Sequence, residues 1–240
     1  MLKRERLLVA ASLFVVAALA AATTARLALD MRWMVLGDAG WDAPYFAAMF
    51  LMWLVMMIAM MLPSAAPAIL TFAALPATGG ATTSAFFSAG YLAAWAGFSL
   101  VATTAQWLLA EGGWLASPMM IRATPMLAAV LFIVAGLYQL TPLKRACLSG
   151  CRSPVSFLLG RFRSGSSGAF RMGLEHGAAC VGCCWGLMAL LFTVGAMNLL
   201  WVAALAAWVL AEKLLPARWR IVEAGALAMI AAGVLILLRA

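Results

Sequence analysis

The chain has 240 residues, of which 67% are hydrophobic and 10% are charged, whereas a soluble domain is about 45–50% apolar and about 25% charged. This composition excludes a soluble globular protein and predicts an all-α, polytopic transmembrane helical bundle that forms one integral membrane domain over residues 1–240. The 16 Lys and Arg outnumber the 8 Asp and Glu, but the basic residues stand between apolar runs. They therefore indicate membrane topology and not nucleic-acid binding.

Hydropathy predicts about seven spans, most of them near the roughly 20 residues that a bilayer requires and the sixth shorter. The first follows Lys3, Arg4 and Arg6. It is predicted to stay in the protein as an anchor, with a cleaved signal peptide as the alternative. In chain order the predicted spans lie near residues 7–29, 45–62, 84–110, 126–140, 172–197, 199–210 and 222–238.

Two prolines interrupt the second predicted span. Pro63 and Pro67 each remove a helix hydrogen bond and crowd the preceding turn. The span is therefore expected to break after residue 62, with the interrupted region reaching about residue 75. The sequence leaves open whether the stretch from Pro63 to Pro76 is a kinked helix or a re-entrant segment.

Three groups of basic residues predict the orientation in the membrane. They lie at the N-terminus, in the polar connection 141–171, and in a turn that holds Lys213, Arg218 and Arg220. Under the positive-inside rule these regions face the cytoplasm. The N-terminus is thus predicted to be cytoplasmic, 141–171 to be a cytoplasmic basic loop, and the stretch with Asp30, Asp38 and Asp42 to be an external loop.

All five cysteines and the single histidine bracket this basic loop. Thiols on the cytoplasmic side are kept reduced, so the cysteines indicate metal binding or catalysis in preference to structural disulfides. If residues 172–188 are helical, Met172, His176 and the cysteines 180, 183 and 184 share an arc of about 120° at about 100° per residue. The predicted metal ligands are Cys147, Cys151, His176, Cys180, Cys183 and Cys184.

The ligand types favour a soft ion. Thiolate, thioether and imidazole together select copper(I) or zinc over magnesium or calcium. Copper(I) is the favoured cofactor, because structural zinc usually takes four ligands from paired knuckles. Zinc is the alternative ion, and packing of the cysteines as small hydrophobes is the alternative role.

Further residues are predicted to assist this site. Methionines on one face of the second span form an accessory metal path, although adaptable packing is the favoured explanation of that stripe by itself. Glu175 is a second-shell candidate, and its alternative role is an ion pair with Arg171 four residues earlier. The accessory methionines are Met49, Met52, Met56, Met60 and Met172.

The glycines of the fifth predicted span have their own spacing. Gly173 with Gly177, and Gly182 with Gly186, follow the GxxxG pattern. Because this pattern lets helices approach closely, it predicts tight packing against a neighbouring helix or a second subunit.

Three blocks, "MIAMMLPSAAP", "YQLTPLKRACLSGCRSP" and "GLEHGAACVGCCWGLM", occur in this order. With them the sequence resembles the bacterial domain of unknown function 2182 family, described as predicted metal-binding integral membrane proteins. The resemblance covers most of the chain after the first span. It implies a multi-pass protein of the bacterial inner (cytoplasmic) membrane with its site at the six ligand positions named above, and it implies no reaction, transported ion or partner.

These observations predict a copper(I)-binding membrane protein that transports or delivers the metal through a cytoplasm-side Cys/His site. The predicted partners are the lipid bilayer, a metallochaperone or membrane-complex protein, and a second copy of the chain. A membrane thiol-disulfide oxidoreductase and a structural or assembly subunit are the alternatives. The sequence has no phosphate loop, Ser-His-Asp set or paired carboxylates, so a binding protein is favoured over an enzyme.

Overall fold

The computed structural model describes residues 2–29, 41–75, 80–117 and 121–239, with side chains from residue 7 onwards except at residues 29 and 117. Asp30, Asp38 and Pro76 lie outside these residues. A short antiparallel pair, β1 (Leu115–Ser117) and β2 (Arg122–Ala123), is the sheet of the described chain. The helices are α1 (Leu2–Leu29), α2 (Ala43–Ala73), α3 (Ala81–Glu111), α4 (Pro125–Gln139), α5 (Pro142–Arg152), α6 (Pro154–Gly160), α7 (Gly165–Ala189), α8 (Leu191–Val194), α9 (Leu199–Leu214) and α10 (Ile221–Leu237), with a 3₁₀ turn at Ala217–Trp219.

The all-α prediction is confirmed, and every predicted span contains a helix. Within the described ranges, five segments are long and apolar enough to cross a membrane: Leu7–Ala28, Ala43–Ala73, Ala81–Glu111, Gly165–Val194 and Ala217–Leu237. The predicted total of about seven spans is not confirmed. Helices α4 and α9 have only 15 and 16 residues, fewer than the roughly 20 that a bilayer requires. Together α4 and α5 would add a sixth span, bent by 68°.

Helix α2 continues through both prolines. Pro63 and Pro67 are exposed, one turn apart on the outer face of the helix. Two hydroxyls bond to carbonyls in this region: Ser64 Oγ donates to Met61 O, and Thr71 Oγ donates to Pro67 O. The prolines themselves leave the carbonyls of residues 59 and 63 without their usual backbone donors, and the helix nevertheless continues. Residues 63–73 are therefore helical and not a re-entrant segment.

Much of the predicted basic loop 141–171 is also helical. Thr141 caps α5 by accepting a hydrogen bond from the Lys144 backbone N–H, and Pro142 stands in the first turn of that helix. A proline at the first helical position favours this start because its φ is preset. The segment is polar in hydropathy because α5 carries Lys144, Arg145 and Arg152, although the helix buries Lys144 together with Leu148 and leaves Arg145 exposed.

Helices α3 and α7 pack at close range, and this contact places the cysteine-bearing helix. A Cβ added at Gly173 of α7 would overlap the carbonyl of Phe87 on α3. A Cβ added at Gly90 of α3 would overlap the carbonyl of Phe170 on α7. Gly177 also abuts α3, at Tyr91. The close packing predicted from Gly173 and Gly177 is thus confirmed, with α3 as the neighbour.

Other helices enclose this pair. Helix α2 packs against α1 on one side and α3 on the other, α10 packs along α4, and α5 crosses α7. Large aromatic side chains from α2 and α3, including Trp53, Tyr91 and Trp95, are fully buried between them. Helix α7 is consequently covered by α3 on one face and by α5 on another, and the cysteines lie under α5.

The glycine contact makes a stability prediction. Gly173→Ala is expected to destabilise the protein by about 1–3 kcal/mol, because the new methyl group overpacks the α3–α7 contact. Thermal unfolding of the purified protein in detergent measures the effect. Gly97→Ala is the matched control, since a Cβ at Gly97 meets nothing within 4 Å. This control is expected to be neutral or more stable by up to about 1 kcal/mol, and an equal loss in both variants would contradict the packing argument.

Candidate metal centre

Three cysteine sulfurs meet where α5 crosses α7. Cys151 comes from the last turn of α5, and Cys180 and Cys183 come from successive turns of α7. Their Sγ atoms all lie within 4.8 Å of one another, and the Cys151 and Cys183 sulfurs are 3.9 Å apart. A trigonal ion about 2.3 Å from each sulfur would hold the sulfurs about 4.0 Å apart. The triangle therefore has the size of a three-sulfur metal site.

The three sulfurs differ in exposure. Cys180 and Cys183 are each 1% exposed, whereas Cys151 is half-buried. The sulfurs of the α7 pair lie inside the bundle, and the sulfur of α5 closes the triangle from the outer side. Of the three cysteines, Cys151 is therefore the one nearest the surface of the described chain.

Contacts from two other helices hold this crossing in place. Arg152, the residue after Cys151, donates from Nε to the Glu212 carbonyl of α9 at 2.8 Å. Tyr138 of α4 donates its hydroxyl to the carbonyl of Gly182, which lies between the α7 cysteines. These bonds join α5 to α9 and α4 to α7, so the sulfurs on α5 and α7 are supported from both sides.

Among the described residues, the three-sulfur group does not include the other predicted ligands, which lie around it. Cys147 is half-buried, and its sulfur would stand 2.8 Å from a Cβ added at Gly182. Cys184 is buried and donates its thiol to the Cys180 carbonyl at 3.0 Å. Both cysteines are thus neighbours of the site and adjoin the backbone of α7.

His176 lies one turn before Cys180 and is buried. Its ring packs against Phe87, Tyr91 and Phe157, with ring centroids 6.1, 6.0 and 5.1 Å away. Its Nδ1 atom has no hydrogen-bond partner in the described part of the chain. Buried polar atoms are almost always bonded, so this nitrogen is available to a ligand that reaches the aromatic pocket.

A buried lysine, which the hydropathy analysis assigned to a basic turn, lies beside the cysteines. Lys213 is 7% exposed. Its Nζ donates to Cys180 Sγ at 3.0 Å and to Ser64 Oγ at 2.7 Å. The Tyr91 hydroxyl lies 3.1 Å from the same sulfur and donates to Met61 O. Buried charges need partners, so the ammonium group provides the counter-charge for a thiolate at Cys180.

Because Lys213 is buried, it is not part of the exposed basic turn that was used to predict the membrane orientation. The predicted span 199–210 ends too early, since α9 continues to Leu214 and carries Lys213 inside its last turn. In this turn region only Arg218 and Arg220 are exposed basic side chains. The signal that could have revealed the lysine is that it follows an unbroken apolar run with only Glu212 between them.

Next to Lys213, Glu212 is also buried and was missed for the same reason. It pairs with Lys144 of α5, with 2.6 Å between Lys144 Nζ and Glu212 Oε2, and both side chains are at most 2% exposed. Gln139 Nε2 and Trp208 Nε1 donate to its other oxygen at 2.8 and 2.9 Å. This carboxylate therefore joins α4, α5 and α9 beside the three sulfurs.

The accessory methionines are core residues. Met49, Met52, Met56 and Met60 are at most 6% exposed, and Met172 is fully buried. Some of the thioethers already have partners: Gln106 Nε2 lies 3.6 Å from Met49 Sδ, and the Arg163 N–H donates to Met172 Sδ at 3.3 Å. The buried stripe leads along α2 towards Met61, whose carbonyl accepts the hydroxyl of Tyr91.

Glu175 contacts arginines and is not among the groups around the sulfurs. Its carboxylate lies 3.2, 3.3 and 3.4 Å from the guanidinium groups of Arg161, Arg163 and Arg171. The alternative role given to it above, an ion pair with Arg171, is observed. Glu175 thus links the middle of α7 to the segment that follows α6.

Comparison with known proteins identifies the family. The family model PpoB2, described as a copper chaperone, matches residues 50–236. The chain belongs to the PpoB2 copper chaperone family. The matched region contains every cysteine, His176 and Lys213. The metal-related family inferred from the motifs is thus supported, although under a different family name. No curated protein and no solved structure matches.

The family match and the three-cysteine group together support a copper-related role for this PpoB2 family member. Three soft sulfur ligands suit copper chemistry. The match extends from within α2 to the last turn of α10.

The buried Glu212 and the partly exposed Glu175 are compared in one prediction. Glu212→Gln is expected to cost about 3–5 kcal/mol of folding free energy, because it leaves the Lys144 ammonium buried without an anion. Glu175→Gln is the matched control and is expected to cost about 0–1 kcal/mol, because its arginine partners are solvated. Chemical unfolding in detergent compares the two. Equal losses would show that the Lys144–Glu212 pair does not support the bundle.

Proposed function

We propose that this chain is a membrane-embedded copper(I) chaperone that carries the ion as cargo between Cys151, Cys180 and Cys183. The sulfur triangle where α5 crosses α7 is the observation that carries the proposal. The family match supports copper as the metal. The cytoplasm-side position of the site, in a bacterial inner membrane, belongs to the same proposal.

The ligand set supports copper(I) over zinc. Three thiolates suffice for a soft monovalent ion, whereas structural zinc sites close with four ligands. The Lys213 ammonium beside Cys180 adds a second argument. Its repulsion of the bound ion grows in proportion to the charge of that ion, so it opposes a divalent ion more strongly than a monovalent one.

Delivery is supported by the unequal exposure of the ligands. A donor or acceptor protein, such as a metallochaperone or a membrane-complex partner, reaches the half-buried Cys151 first, and the buried α7 pair completes the site. Cys147, Cys184 and the free Nδ1 of His176 serve as further ligands during exchange. Met172 and the α2 methionines, Met49, Met52, Met56 and Met60, form the accessory soft path.

Cysteine variants test the cargo site. Changing Cys151, Cys180 or Cys183 to Ser removes a direct ligand of the ion. Each change is expected to lower copper(I) affinity by more than the roughly 10–100-fold loss that is typical when a residue hydrogen-bonded to a metal ligand is mutated. Anaerobic competition with a copper(I) chelator measures the affinity, and mass spectrometry gives the metal content.

Cys147→Ser is the matched control and is expected to lose less than about tenfold, because its sulfur adjoins Gly182 outside the triangle. Wild-type protein that binds no copper(I) would refute the proposal. Copper-free protein with a reversible Cys151–Cys183 disulfide would favour the thiol-disulfide oxidoreductase instead.

Lys213 variants test the argument from charge. Lys213→Met is expected to raise zinc(II) affinity relative to copper(I) by about tenfold or more, because the variant removes a repulsion proportional to ionic charge. Lys213→Arg keeps the charge and is expected to keep the wild-type ratio. The two dissociation constants, measured anaerobically for each variant, check this result. An unchanged ratio in Lys213→Met contradicts the role of the ammonium group.

A further inference from the structure

A polar cavity lies at the meeting point of α4, α5 and α10, and none of the cysteines lines it. Its volume is about 550 Å³, within the range of about 300–1,000 Å³ that is usual for small-molecule sites. The side chains that matter for binding are Gln139, Arg145, Ser149, Arg152, Arg220 and Glu223. Neither the family match nor the copper chemistry assigns this cavity a ligand.

The charge of the cavity favours an anion. Three arginines line the cavity, and Glu223 is the one acidic residue in its lining. Arg145 Nη2 donates to Leu140 O at 3.0 Å, and Arg152 Nε donates to Glu212 O at 2.8 Å. Each of these bonds uses one of the five N–H donors of a guanidinium group. The arginines are thus held in position while further donors remain for a ligand.

The N-terminus of α10 adds to the positive potential. Arg220 precedes this helix in the left-handed region, at φ 50°, and no side chain caps the helix by a hydrogen bond. The first backbone N–H groups of a helix have no partner within it, and they carry the positive end of the helix dipole. Ile221 and Val222, in this first turn, line the cavity.

A second observation, independent of charge, comes from Gln139. Its side chain is 2% exposed and lines the cavity. The amide nitrogen donates to Glu212 at 2.8 Å, which orients the amide group. The amide oxygen has no hydrogen-bond partner among the described residues. Since buried acceptors are nearly always satisfied, this oxygen requires a donor, and a hydroxyl group of a ligand in the cavity supplies one.

The cavity lies at the end of a candidate membrane span. Helix α10 belongs to a segment long and apolar enough to span a membrane, and the cavity lies at its first turn. Leu137 of α4, two residues before Gln139, and Leu227 of α10, six residues after Ile221, are 54% and 65% exposed. Acyl chains can cover these leucines while a headgroup occupies the cavity. Basic pockets between helices at this depth are suited to anionic lipid headgroups.

We propose that this cavity binds a phosphate ester that bears a free hydroxyl, supplied by the headgroup of an anionic phospholipid such as phosphatidylglycerol. The arginines and the start of α10 bind the phosphate, and Gln139 accepts the hydroxyl. Glu223 offers a second acceptor for a polyol. Because Arg152 directly follows Cys151, an occupied cavity also fixes the end of α5 that carries the third sulfur. Binding of the lipid does not depend on the copper proposal.

Native mass spectrometry of the delipidated full-length protein in neutral detergent tests the proposal. Phosphatidylglycerol is expected to bind about tenfold or more tightly than zwitterionic phosphatidylcholine, because charge-assisted hydrogen bonds are the stronger ones. It is also expected to bind better than phosphatidylmethanol, which has the same charge but no hydroxyl in the headgroup. Equal binding of phosphatidylglycerol and phosphatidylcholine by the wild-type protein would overturn the inference without any variant.

Variants locate the site. Arg145→Met and Arg220→Met are each expected to lower phosphatidylglycerol affinity by about tenfold, while the melting temperature of the delipidated protein stays at the wild-type value. Arg218→Met is the control, since Arg218 is an exposed neighbour that does not line the cavity. A loss in Arg218→Met equal to that of the other two would overturn the placement.

Free ligands distinguish the source of the phosphate ester. Glycerol phosphate is expected to compete with phosphatidylglycerol only at far higher concentration, because it lacks the acyl chains that cover the exposed leucines. Inorganic phosphate is expected to compete still less, because it offers no glycerol hydroxyl. If free glycerol phosphate binds as tightly as the lipid, the cavity is a site for a soluble metabolite and the lipid assignment is wrong.

Discussion

The pairing of two adjacent buried charges at the end of α9 is the constraint on which the metal site depends. Glu212 turns towards Lys144 of α5, and Lys213 turns towards Cys180 of α7. In an apolar interior an unpaired charge is too costly to keep. The last turn of α9 must therefore stay in contact with both α5 and α7. Those are the two helices whose cysteines form the triangle, so the charges that α9 buries also bring the sulfurs together.

The glycine contact between α3 and α7 supplies the second constraint. Close approach of the two backbones leaves no space for side chains at Gly90 and Gly173. Tyr91, the residue after Gly90, thereby comes within 3.1 Å of the Cys180 sulfur. The packing of α3 against α7 therefore also sets the position of Tyr91 beside Cys180. Cys180 is held by a lysine from α9 on one side and faces a tyrosine from α3 on another.

Under the proposed function, this arrangement accounts for the exchange of copper(I) at a three-sulfur site. Two sulfurs are enclosed by the bundle, and the third is on a short amphipathic helix that is half open to its surroundings. The lysine places a fixed positive charge close to the ion. Thiolate ligands provide affinity for copper(I), while the nearby cation limits that affinity. A carrier that must both accept and release its cargo needs this balance.

The sequence by itself determined the helical character of the chain, the positions of its apolar segments and the soft character of its site, because composition and the spacing of cysteines on α7 are local properties. It also indicated that Gly173 and Gly177 make a close contact. Only the tertiary structure decided that Cys151 joins Cys180 and Cys183 while Cys147 faces Gly182, because that choice depends on how α5 crosses α7. Likewise, Lys213 follows an apolar run and looks like a topology signal in the sequence. It becomes part of the site only because α9 continues to Leu214 and packs its last turn against α7.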